Sequence, residues 1–285
     1  MYADNTKKYL FLLILLAFGA LCVNVFGQGT EPFQVKVTGH GNKAIIFIPG
    51  FASSGTVWDD TRQLFEKDHT CYTLTMAGFA GVPARGEVTF HAWEKAIAEY
   101  VWRHKINKPV IIGHSMGGAL ALAIAADYPD LPSQVVVVDA LPFLAAMRDP
   151  SAKTKDKVDC TASIAQFKAM PDTQFMQMQQ GTMAMLMADT THRREAIDWS
   201  AKSDRAVFAG MFCDFSNTDL RSKLSAVKCP ALILLESYFA NFKPAIDDQY
   251  KLLKTGDYRY ATKGLHFIMY DNKDWYDAQL KSFVK

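Results

Sequence analysis

Four short apolar runs set the limits on what this chain can fold into: "AIIFI" at residues 44–48, "PVIIG" at 109–113, "QVVVVDA" at 134–140 and "PALILLE" at 230–236. Each is too short for a buried helix and lacks the alternation of a half-exposed strand, which leaves strands buried on both faces. Longer amphipathic stretches separate the first three. "FHAWEKAIAEYVWRHKI" puts Trp93, Ile97 and Val101 on one side of a helix, and "GGALALAIAADYP" reads as a helix stopped at Pro129. Buried strands alternating with helices define an α/β fold, a mostly parallel central sheet flanked by helices, with ligands at the carboxyl ends of the strands.

The remaining segments complete the pattern. "FQVKV" alternates like a half-exposed strand and meets "AIIFI" through the turn residues "GHGN", so the two read as an opening hairpin. "GTVWDDTRQLFEKD" carries a helical pattern, "TCYTLTM" a strand, "YRYAT" the last strand and "NKDWYDAQLKSFVK" the closing helix. The alternation breaks at Leu144 and resumes at "PALILLE". The polar, methionine-rich stretch between reads as an inserted helical lid at 144–225, dividing a core of residues 28–143 and 226–285.

Lys7 and Lys8 precede an apolar run from Tyr9 to Val25, with small Gly27 after it, the pattern of a secretory signal occupying residues 1–27. Export and cleavage are therefore expected, rather than an uncleaved anchor or a lipid on Cys22. Beyond Cys22 stand Cys71, Cys160, Cys213 and Cys229, too scattered for a disulfide framework but able to form one bridge in an oxidising compartment. A net charge of +2 with 21% charged residues supplies no field for nucleic acid, which points to a small, neutral substrate. No CxxC, HExxH or aspartate-rich calcium loop occurs, so neither a metal nor a cofactor is implied.

The chemistry centres on "IIGHSMGG", residues 111–118. A serine at the tip of a strand-to-helix turn holds an unfavourable backbone conformation, tolerated only where the residues two before and two after are small. Gly113 and Gly117 fill those places around Ser115.

On these residues, with "FIPGFASSGTVW" and "GLHF", the chain resembles the α/β-hydrolase superfamily over nearly all of its length after residue 27. The resemblance implies the chain order serine, acid, histidine. Of His40, His69, His91, His104, His114, His192 and His266, only the last two follow Ser115 beyond its immediate neighbour. His192 lies beside two arginines and reads as a solvated surface residue; His266, between the last strand and the last helix, is assigned as the base. Phe239 stands near the usual place of the acid after the family's seventh strand, and Asp247 and Asp248 fall in the following helix. Asp139, directly after the family's sixth strand, is preferred to Glu236. The backbone amides of Phe51 and Met116 are implied as the oxyanion donors.

The implied activity is that of a serine hydrolase cleaving a small-molecule carboxylic ester, or a similar apolar acyl substrate, through an acyl-enzyme on Ser115. The methionines at 170, 176, 178, 183, 185 and 187 would suit varied acyl groups, or fill gaps in packing. The alternatives are a non-catalytic binding protein on the same fold, and a cofactorless perhydrolase or amidase using the same site.

Overall fold

The structure, a computed structural model, describes residues 31–285; the signal-segment reading of residues 1–27, with Cys22, lies outside them. Seven strands form one sheet: β1 (Phe33–Thr38), β2 (Lys43–Ile48), β3 (His69–Met76), β4 (Val110–His114), β5 (Gln134–Val138), β6 (Ala231–Leu235) and β7 (Gly256–Tyr260). Their order is β1-β3-β2-β4-β5-β6-β7, and only β1 runs antiparallel to its neighbour.

The helices in chain order are α1 (Asp59–Gln63), α2 (Phe90–Arg103), α3 (Met116–Asp127), α4 (Thr161–Ala169), α5 (Asp172–Leu186), α6 (Thr190–Ala201), α7 (Arg205–Ser216), α8 (Lys243–Tyr250), α9 (Ile268–Asp271) and α10 (Lys273–Phe283).

The apolar runs are strands because they can be buried twice over. Ile46, Ile48, Ile111, Val135, Val137 and Ile233 belong to one core, while Ile45, Phe47, Ile112, Val136, Val138 and Leu234 belong to another. This is the two-residue period of a strand with both faces covered. On the first face α2 inserts Trp93, Ile97 and Val101, and α3 is buried from Met116 to Ala126. On the second, Trp58, Tyr276 and Leu280 do the same. Each large apolar side chain withdrawn from water contributes about 1.5–3 kcal/mol. The start of α2 is fixed by Thr89, whose hydroxyl accepts the Ala92 N–H at 3.1 Å.

Two local expectations are corrected. β1 does not form a hairpin with β2, because β3 lies between them and pairs with both. "GHGN" instead crosses the start of β3 so closely that a Cβ on Gly41 would lie 1.8 Å from the carbonyl oxygen of Asp68. The helical pattern of residues 55–68 also contracts, to a 3₁₀ turn at Gly55–Trp58 followed by the five residues of α1. The chain must bring His69 beside Lys43 to begin β3, and it does so through turns in which the Asp68 and His69 N–H groups donate to Phe65 O.

Between β5 and β6 the chain makes the four helices α4–α7. Cys160, just before α4, is bonded to Cys213 in α7, a pairing that sequence alone does not select. Phe167 of α4 and Phe208 of α7 pack at 5.4 Å between ring centres. Cys71 and Cys229 are free, and burial pushes their thiols up to about 12 and about 11. Among the described residues no helix is long and apolar enough to cross a membrane.

Closing a loop across 53 residues restricts the unfolded chain. The Cys160→Ser/Cys213→Ser variant is therefore expected to lose about 2–4 kcal/mol, measured as a lower urea midpoint. An unchanged midpoint would show that the bridge does not stabilise the fold.

Candidate active site

Ser115 occupies the turn between β4 and α3 with φ 53° and ψ −123°, a conformation L-residues rarely hold. Its N–H donates to Val138 O at 2.8 Å, and its carbonyl accepts from Gly118 and Ala119 as α3 begins. The flanking glycines are sterically required. A Cβ on Gly113 would lie 2.0 Å from Gly117 O, and one on Gly117 would lie 2.3 Å from Ile48 O.

The acidic side of the site comes from the next strand. Asp139 follows β5, is buried, and also holds a positive φ of 50°. Its N–H donates to Leu234 O at 2.7 Å, which anchors it to β6. The carboxylate is then fully directed: Oδ1 accepts the Glu236 N–H at 2.6 Å, and Oδ2 lies 2.6 Å from His266 Nδ1. A carboxylate accepts, so Nδ1 carries the proton and Nε2 of the neutral ring is left as an acceptor.

His266 stands in the loop after β7. Gly264 turns that loop at φ 96°, Ser237 Oγ donates to Gly264 O at 2.9 Å, and the Leu265 N–H donates to Asp271 Oδ2 at 2.9 Å. A further tie was not legible in the sequence. His114 lies with its ring centre 4.6 Å from that of His266, and its Nε2 is 3.0 Å from the His266 carbonyl oxygen. A carbonyl only accepts, so His114 donates from Nε2. Burial and then the neighbouring His266 hold its pKa well below the usual histidine value. It is a neutral link between the serine turn and the histidine loop.

Glu236 is the other residue whose setting was not read in full. Its backbone supports Asp139, while its own half-buried carboxyl is pushed up to about 7, first by burial and then by Asp139 beside it. Being the first polar residue after an apolar strand was its signal in the sequence. Asp247 and Asp248 lie in α8 and pair with Lys243 and Lys251. His192 is half-buried rather than solvated: it stacks on Tyr270 at 3.9 Å, and its Nδ1 lies 3.0 Å from Asp189 Oδ1.

Ser115 and His266 line a cavity of about 390 Å³ together with Gly50 and Phe51 of the loop after β2. A Cβ on Gly50 would lie 3.3 Å from Ser115 Cβ, so that loop runs directly against the serine. Met116 opens α3, where the first N–H groups have no partner within the helix. The rest of the lining is mostly apolar, from α4–α7 and Phe267; of the methionines, Met178 and Met183 reach it. Its lining contains no Asp, Glu, Lys or Arg. Away from the cavity, ligand-type atoms of His91, Glu94 and Asp127 lie within 4.8 Å of one another, but Lys223 Nζ already pairs with Asp127 Oδ2 at 2.5 Å.

A model of the alpha/beta hydrolase family matches residues 45–276. An abhydrolase domain-containing protein of Schizosaccharomyces pombe is 26% identical over 115 residues, 40% of this chain and 42% of the relative, so the chain matches less than half of that relative's length. The pimeloyl-[acyl-carrier protein] methyl ester esterase of Aeromonas hydrophila is 23% identical over 221 residues, 75% of this chain and 78% of the relative. The crystal structure of the enol-lactonase from Burkholderia xenovorans superposes with a TM-score of 0.73 at 14% identity, covering 88% of this chain and 96% of that one. At that identity the likeness is one of fold.

The raised pKa of Glu236 has a sign. Its folded value of about 7 exceeds the ordinary 4.5, so the folded state holds the proton that the unfolded state releases. The stability this provides is full below pH about 4.5 and is lost as pH rises through about 7. Glu236→Gln is expected to raise the melting temperature relative to the parent at pH 8, with the gap closing at pH 4. Parallel melting curves across that range would contradict it.

Proposed function

Because the chain belongs to the alpha/beta hydrolase family, we propose that it is an exported serine hydrolase that cleaves a carboxylic ester through an acyl-enzyme on Ser115. The observation that carries this reading is the 2.6 Å contact between His266 Nδ1 and Asp139 Oδ2, in a cavity lined by both His266 and Ser115.

With Nδ1–H held by Asp139, Nε2 of His266 accepts the hydroxyl proton as Ser115 Oγ attacks the ester carbonyl. Asp139 then faces the imidazolium that forms. The negative charge on the carbonyl oxygen is met by the backbone N–H groups of Phe51 and Met116, the latter at the positive end of α3. His266 returns the proton to the departing alcohol. Water repeats the sequence on the acyl-enzyme, with the same histidine as base, and releases the acid.

The uncharged cavity lining supports a neutral, largely apolar ester. The name of the Aeromonas relative, a methyl ester esterase, fits the bond type. In this reading residues 28–143 and 226–285 are the catalytic core, and 144–225 act as a lid over the cavity. The Cys160–Cys213 bridge supports export to an oxidising compartment. The non-catalytic reading draws on the absence of an acid just after β6, and the 2.6 Å contact of Asp139 with His266 supports the catalytic reading instead.

Incubation with a fluorophosphonate is expected to add one adduct, mapped by mass spectrometry to Ser115, absent in Ser115→Ala. Asp139→Asn should keep the fold by circular dichroism and lower kcat by about 10³–10⁴-fold. Unchanged turnover in Asp139→Asn would falsify the assignment of the acid, and a folded protein that takes no adduct would favour a binding protein.

A further inference from the structure

The cavity wall built by α5 and α6 is not uniformly apolar. Along α5 the fully buried positions are Phe175, Gln179 and Met183, spaced by four on one face, and the middle one is an amide. From α6, Ser200 Oγ donates to Gln179 Oε1 at 2.6 Å, with both residues almost entirely removed from water. That bond uses the acceptor end of the amide. Gln179 Nε2, with two protons to give, is buried with no partner. Both residues line the same cavity as Ser115 and His266.

An unpartnered amide N–H in an apolar wall is costly, and leucine or methionine would build that wall without the cost. The cavity lining holds no carboxylate to take this donor. The hydroxyls that line it, those of Ser53, Ser115, Thr182 and Ser200, make no bond to Nε2 either, and an occupant of the cavity can supply the acceptor. The terminal torsion of a glutamine is soft, so the amide can turn toward an incoming oxygen while keeping Ser200.

Resting on the ester-hydrolase reading, we propose that Gln179, held by Ser200, selects esters that carry a second, neutral hydrogen-bond acceptor away from the scissile carbonyl. A ketone, ether or hydroxyl oxygen on the chain filling the cavity meets the requirement. A carboxylate does not, because no lysine or arginine lines the cavity to compensate a buried charge.

The test reads binding separately from turnover. In the full chain carrying Ser115→Ala, dissociation constants are measured by calorimetry for ethyl octanoate, for its analogues with a ketone at each inner carbon, and for an analogue ending in a carboxylate. At least one ketone is expected to bind about tenfold more tightly than the plain ester. The carboxylate is expected to bind no more tightly than the plain ester. Adding Gln179→Leu with Ser200→Ala, which replaces both polar partners and so avoids leaving Ser200 alone, should bring the ketone-to-plain ratio to about one.

A ratio near one for every ketone in the Ser115→Ala protein overturns the proposal. So does a ratio unchanged by the added substitutions, or a carboxylate that binds tightest of all. Turnover of the same esters by the parent protein tests the other reading. Selective binding with neither turnover nor fluorophosphonate labelling would overturn the hydrolase and leave the recognition standing, whereas turnover with unselective binding would do the reverse.

Discussion

The parallel register of three adjacent strands determines where everything else stands. His114 pairs with Val138, and Val138 pairs with Leu234, so the first residues beyond β4 and β5 emerge side by side at the carboxyl end of the central strands. Those residues are Ser115 and Asp139. Each is pinned by its own N–H to the strand beside it, Ser115 to Val138 O and Asp139 to Leu234 O. Ser115 and Asp139 are thus positioned by backbone ladder bonds rather than by side-chain packing, and only His266 has to be brought from a loop.

Both residues hold backbone conformations with φ near +50°, at a cost of about 1–3 kcal/mol each. Such a conformation persists only where the surroundings leave no relaxed alternative. Here strands buried on both faces run into the two turns, and α3 behind Ser115 has almost no exposed residue. Gly113 and Gly117 pack against each other and against the end of β2, so the serine turn cannot open without disturbing the centre of the sheet. The histidine loop is restrained differently, through the His114–His266 contact and the bonds of Ser237 and Asp271.

What could be read from sequence followed from how local the determining physics is. Apolar runs bounded by turn residues specify buried strands wherever they pair, and the spacing of Gly113, Ser115 and Gly117 specifies a turn within five residues. Asp139 stood out through the resemblance, which allows an acid directly after the family's sixth strand. The resemblance already preferred it to Glu236, and the loop after β7 brings His266 Nδ1 to 2.6 Å from Asp139 Oδ2. The hairpin expected at the start failed because β3 displaces β2 as the partner of β1, and that is a long-range choice. The contacts of Gln179 with Ser200 and of Cys160 with Cys213 depend on how α4–α7 fold back on one another, which helical periodicity does not encode.

The position of the disulfide has a topological result. Cys160 lies just before α4 and Cys213 near the end of α7, so the bond closes a covalent ring that holds α4, α5, α6 and most of α7. Fraying of α5 or α6 is confined within that ring. A protease that cuts once between the two cysteines would not release a fragment, because the two pieces remain joined.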